Sequence, residues 1–173
     1  MKNLLKLSLG LLVCVALFSC SKDEDEKPSV NSVQLGEESF NVNGAVLQGI
    51  FVGEESIANI SLINASAEQT KTLTISIEPS SEETIPGTYS YPLADGDMVM
   101  DNFLTNYTVF EGEGESEMAI ESTSLESGTV TVTHNGGDNY SVVMDLTMED
   151  ETVFSGEYTG KFFVQIQSVE MPF

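Results

Sequence analysis

From Tyr140 to Met148 the chain alternates strictly. Tyr140, Val142, Met144, Leu146 and Met148 fall on one side, and Ser141, Val143, Asp145 and Thr147 on the other. A period of two is the strand period, whereas a helix would scatter these residues around its circumference. The segment is therefore a strand with one buried face and one mostly wet face. Gly128–Thr133 alternates in the same way, with Val130 and Val132 inward. Between them, His134-Asn135-Gly136-Gly137-Asp138-Asn139 supplies residues that tolerate positive φ, so the two strands form a hairpin. Glu149-Asp150-Glu151-Thr152 makes the next turn. Phe154, Gly156, Tyr158, Gly160, Phe162, Val164 and Ile166 then share one face of a long final strand. The small Gly156 and Gly160 among aromatics predict close packing or a bulge. Residues 128–167 read as a three-strand antiparallel meander.

Upstream the same period recurs with shorter runs. Ala58, Ile60 and Leu62 alternate with Asn59 and Ser61, and Leu73, Ile75 and Ile77 with Thr72, Thr74, Ser76 and Glu78. The Asn64–Gln69 stretch together with Thr70-Lys71 links them as a second hairpin. Phe40 and Val42, then Val46–Val52, read as earlier strands around Asn43-Gly44. Pro86-Gly87 opens a short strand through Tyr89 and Tyr91, and Pro92 closes it. Met98, Met100 and Phe103 fit a strand or a packed loop. Asn106–Phe110 and Glu117–Ile120 flank an acidic connection, Glu111–Glu115. No long stretch keeps a helical period with caps. The expected fold is all-β: an antiparallel β-sandwich of about ten short strands ending in the meander. A small lipocalin-like β-barrel is the alternative.

Charge narrows the partners. The chain has 28 acidic and 6 basic residues, a formal net charge of −22. Within residues 30–173 the only basic side chains besides His134 are Lys71 and Lys161. Such a field repels nucleic acid and anionic membrane surfaces and attracts cations and basic partners. Cysteine narrows the chemistry. Cys14 lies in an N-terminal apolar run and Cys20 just after it, so the domain beyond has neither a disulfide framework nor a thiolate site.

The N-terminus has its own organisation. Met1–Lys6 carries two lysines. Leu7–Phe18 is apolar apart from Ser8 and Gly10, and is shorter than the roughly 20 residues a bilayer span needs. It fits a secretory signal. Leu17-Phe18-Ser19-Cys20 resembles the bacterial lipobox, with Phe18 bulkier than the usual residue there. The resemblance implies cleavage before Cys20 and acylation of Cys20, hence a lipid anchor. Residues 1–19 are then a lipoprotein signal peptide, 20–29 an acidic flexible tether, and 30–173 a single β-rich domain. Ser21-Lys22-Asp23-Glu24-Asp25-Glu26 resembles the lipoprotein export signal of Bacteroidetes-type bacteria. That implies transfer to the cell-surface face of the outer membrane, with the periplasmic face as the alternative.

A second resemblance lies in the later half. Pro86-Gly87-Thr88-Tyr89, Ser127-Gly128-Thr129-Val130-Thr131-Val132, the strand from Tyr140, and Ser155-Gly156-Glu157-Tyr158-Thr159-Gly160 resemble a tail shared by small Bacteroidetes-type surface lipoproteins. The resemblance implies location and a β-rich fold. It implies no activity, so no catalytic residue carries over.

The residues themselves offer little for catalysis. His134 is the sole histidine and sits in a turn, and there is no Gly-x-Ser-x-Gly elbow. Zinc lacks ligands, and Gly136-Gly137 lacks the lysine and strand–loop–helix context of a phosphate loop. Calcium is the sharpest cofactor reading, because Asp95, Asp97 and Asp101 place three carboxylates in one apparent loop. Met100 and Asn106 stand where an EF-hand requires Gly and Glu. The expectation is an anchored binding or interaction module for a glycan or protein partner, not an enzyme. It calls for an exposed patch around Tyr89, Tyr91, Met98 and Met100. The alternative is a lipocalin-like carrier with a cavity lined by Met144, Met148 and Phe162.

Overall fold

The structure, a computed structural model, describes residues 30–52, 55–112 and 118–169. Cys20, the acidic tether and the C-terminal residues 170–173 lie outside them. Among the described residues twelve strands run in chain order. They are β1 (Val30–Asn31), β2 (Gln34–Leu35), β3 (Glu38–Ser39), β4 (Gly44–Val52), β5 (Glu55–Ala65) and β6 (Gln69–Ile77), then β7 (Gly87–Tyr91), β8 (Met98–Glu111), β9 (Met118–Gly136), β10 (Asn139–Met148), β11 (Val153–Lys161) and β12 (Phe163–Val169). A 3₁₀ turn, Glu82–Thr84, precedes β7. Among the described residues no helix is long and apolar enough to cross a membrane.

The strands form one open sheet in the order β12-β4-β5-β6-β8-β7-β9-β10-β11-β2-β3, with β1 paired to β11. The path has two ends, so the sheet is not a closed barrel, and the lipocalin-like alternative is corrected. Met144, Met148 and Phe162, which that reading placed around a cavity, are buried in the core instead. The sheet folds over so that its two halves face one another. Tyr107 of β8 meets Phe154 of β11 edge-on at 5.1 Å, and Phe40 packs on Phe154 from the side at 5.5 Å. Aromatic pairs in this geometry bind beyond their area burial.

The alternation dictates which residues fill the space between the halves. Ala58, Ile60 and Leu62 of β5 and Leu73, Ile75 and Ile77 of β6 are buried. They share one core cluster with Val130 and Val132 of β9 and Val142, Met144, Leu146 and Met148 of β10. Burying an aliphatic side chain of this kind contributes about 1.5–3 kcal/mol.

The meander β9-β10-β11 is antiparallel throughout, as the period predicts. Gly156 confirms the predicted close approach. Its φ is 109°, and a Cβ there would strike the carbonyl oxygen of Ser32, where the N-terminal segment crosses β11.

Two expectations change. The long final strand is two strands, because Phe162 is a pivot. It is 2 % exposed, held between the rings of Tyr140 and Tyr158, and its N–H donates to the Asp138 carbonyl at 2.8 Å. Beyond it the chain crosses to the other half, where β12 pairs in parallel with β4 from Phe163↔Val46 to Val169↔Val52. The sheet is also mixed and not wholly antiparallel, since β7 runs parallel to β8 at Tyr89↔Met98.

Candidate functional site

An open groove of about 580 Å³ lies where the first half of β9 meets the β10–β11 turn. Antiparallel pairing builds one wall. Tyr107 stands opposite Thr123 and Val109 opposite Glu121, and residues directly opposite share a face. Glu121 therefore lies on the core-facing side of β9, in line with buried Val109, but past the end of the core, where it is exposed. The turn supplies the other wall, with Glu149 and Asp150.

Backbone bonds fix that turn against β9. The Glu149 N–H donates to the Ser124 carbonyl at 2.9 Å. The Met148 N–H donates to the Thr152 carbonyl, the Glu151 N–H to the Met148 carbonyl, and the Thr152 N–H to Asp150 Oδ1 at 3.0 Å. Ser122, Thr123 and Ser124 line the groove between the carboxylates. Tyr107 forms its inner end and is only 7 % exposed. Burial pushes its phenol up from the ordinary range, and the charges of Glu121 and Asp150 push it further. The phenol stays neutral, a donor of one hydrogen bond among acceptors.

A second, smaller hollow of about 200 Å³ lies on the outer face of β12-β4-β5, among Gln48, Asn59, Gln165 and Gln167. The Gln48 amide donates to Gln165 Oε1 at 2.9 Å, and Asn59 Oδ1 is buried without a partner.

The calcium candidates do not assemble. Asp95 is exposed in a turn with Gly96, and the Asp97 N–H donates to the Ala94 carbonyl. Asp101 is on β8, and its Oδ1 accepts the N–H groups of Phe103 at 2.9 Å and Leu104 at 2.7 Å. Among the described residues no three His, Cys, Asp or Glu side chains converge to hold a metal. Asp101 shapes a bulge instead.

The predicted exposed patch is not formed either. Tyr89 and Met100 are fully buried, and Tyr91 and Met98 are half-buried. The Tyr89 hydroxyl reaches the carbonyls of Thr84 and Ile85, and burial drives its phenol far up. Among the described residues the exposed aromatic rings are Phe103 and Phe163. His134 stacks on Tyr140 at 4.7 Å, with Nε2 2.8 Å from the Gly137 carbonyl, as a turn residue would.

Sequence reasoning marked Glu149-Asp150-Glu151 as an acidic turn but left Glu121 out. Glu121 comes to that turn because β9 continues across Gly128, with Leu125 opposite Met148, where the sequence predicts two separate strands. The class these features define is an all-β domain of one folded-over open sheet, with an acidic, hydroxyl-lined groove. No known protein family matches the chain, and no curated protein or solved structure matches it.

Proposed function

We propose that this chain is a membrane-tethered binding module whose groove takes a positively charged segment of a partner protein. The observation that carries this reading is that Glu121, Glu149 and Asp150 line one open groove with Tyr107. The hydroxyl of Thr123, on the same face of β9 as Glu121, and the backbone offer acceptors that a lysine or arginine can share with the carboxylates. The net charge of −22 steers such a partner from a distance. Acylated Cys20 holds the module on the outer membrane, and the acidic run after it favours the cell-surface face.

A lysine-rich peptide titrated against the full chain in detergent tests the groove. The double substitution Glu121→Gln with Asp150→Asn weakens binding about tenfold, equivalent to roughly 1.4 kcal/mol. Asp145→Asn, an exposed carboxylate that does not line the groove, leaves it within about twofold of the parent. Equal losses in both variants would reduce the effect to bulk charge and remove the groove from the reading. For the anchor, Cys20→Ala releases the protein from the membrane fraction, and retention there overturns the lipid assignment.

A further inference from the structure

The two ends of the sheet differ in a way the groove does not explain. At one end is β3, two residues long, carrying Glu38 and preceded by Glu37 and by Gly36 at a φ of 60°. Short length and charge are the usual ways a protein blunts a strand edge against pairing. At the other end is β12. It pairs with β4 over all of Phe163–Val169 without a register shift, and its second edge has no strand partner among the described residues. Its sequence, Phe-Val-Gln-Ile-Gln-Ser-Val, holds no charge, no proline and no glycine. In a chain this acidic, an uncharged edge is the exception.

We infer that the free edge of β12 is a self-pairing surface, where two copies of this chain join antiparallel about a twofold axis at Ile166. The strand is complementary to itself about that residue. Phe163 and Val169, which are 62 % and 50 % exposed, become opposite neighbours across the axis. Gln165 meets Gln167 of the second copy on the same outer face. Ile166 meets Ile166 on the core-facing side, and Val164 meets Ser168. Opposed apolar pairs in an antiparallel ladder stabilise it.

The amide row already runs in this direction. Gln48 donates to Gln165 Oε1, and the remaining Gln165 N–H₂ is placed to donate onward to Gln167 of the second copy. A basic strand finds no carboxylate on this edge, so the long-range field alone does not select one. Repulsion between two acidic copies is screened beyond about 8 Å at physiological salt. At contact the edge places no like charges together. None of the residues Phe163–Val169 lines the groove, so this pairing stands apart from the binding reading.

Sedimentation of the full chain in density-matched detergent tests the pairing. The parent protein sediments at twice the chain mass. Gln165→Glu with Gln167→Glu sets carboxylates against each other across the axis and halves that mass. Gln165→Lys with Gln167→Glu sets opposite charges there and restores the doubled mass. These side chains are exposed, so far-UV dichroism stays that of the parent in every variant. A parent that is monomeric at every concentration overturns the inference, whether the edge is bare or covered by another stretch of its own chain. Doubled mass in the two-glutamate variant, or monomer in the lysine–glutamate variant, also overturns it.

Discussion

β8 and β9 are the two strands that pass from one half of the sheet to the other, and they bend by opposite means. β9 bends by removing a side chain. It pairs with β8 up to Ser124, bulges at Glu126, and from Gly128 onward pairs with β7. Gly128 has a φ of 151°, and a Cβ there would strike the Asp145 carbonyl oxygen and lie 2.7 Å from Leu146 Cα. β8 bends by adding residues. Asn102–Thr105 stand opposite Ile75 alone, and side chains close the ladder that the extra length opens. Thr105, fully buried, accepts the Ser76 N–H on its hydroxyl at 2.9 Å. Asp101 accepts the next two free N–H groups of the bulge. A corner made by absence tolerates no substitution, while a corner made by side-chain bonds tolerates whatever keeps those bonds.

That contrast can be broken by mutation. Gly128→Ala is the severest test, because the obstacle is backbone on the facing strand. Overpacking and positive-φ strain together cost about 3 kcal/mol or more, read as a lower denaturant midpoint. A loss under about 1 kcal/mol would mean that β9 does not need glycine to turn. Thr105→Val keeps the shape and removes the acceptor, leaving the buried Ser76 N–H unpaired at a cost of about 1–3 kcal/mol. Thr105→Ser retains the hydroxyl and recovers most of that stability. Should serine be as damaging as valine, the methyl group and not the hydrogen bond closes the bulge. The smallest effect is expected at Glu151, a non-glycine residue at a φ of 69° in the β10–β11 turn. Glu151→Gly relieves the left-handed conformation and stabilises the fold by at most the roughly 1–2 kcal/mol that this conformation costs, read as a higher thermal midpoint. A lowered midpoint would show that the turn depends on the glutamate side chain.

The meander was legible in the sequence because its pairing is local. Tyr140–Met148 alternates without a break, and the Gly136-Gly137 turn sets its register with β9. The β5–β6 hairpin was legible for the same reason. What escaped was every feature set by distant partners. Phe162 ends one strand because Asp138 and two tyrosines hold it, and nothing in Phe154–Ile166 interrupts the period to announce it. Asp101 looked like a metal ligand because a carboxylate in a loop is ambiguous between binding a cation and accepting backbone N–H groups. The groove followed the same rule. Its turn residues stood out as charges, but Glu121 reaches them only because β9 runs on unbroken past Gly128, with Leu125 opposite Met148 and the Ser124 carbonyl bonded to Glu149.

The parallel pairing of β12 with β4 has a consequence for how the molecule is made. Gln48 and Gln165, bonded in the finished sheet, are 117 residues apart in the chain. Ser32 and Glu157, which tie the N-terminal segment across β11, are 125 apart. Each half of the sheet is thus completed by joining a beginning to an end. A chain emerging from the ribosome or through a translocation pore can form its hairpins early, but the last strand of each half must wait. Contacts of this span make folding slow, because a long loop must close before any stabilisation is gained. The delay keeps the β4 edge open until β12 has been synthesised, so this pairing falls among the last steps of folding.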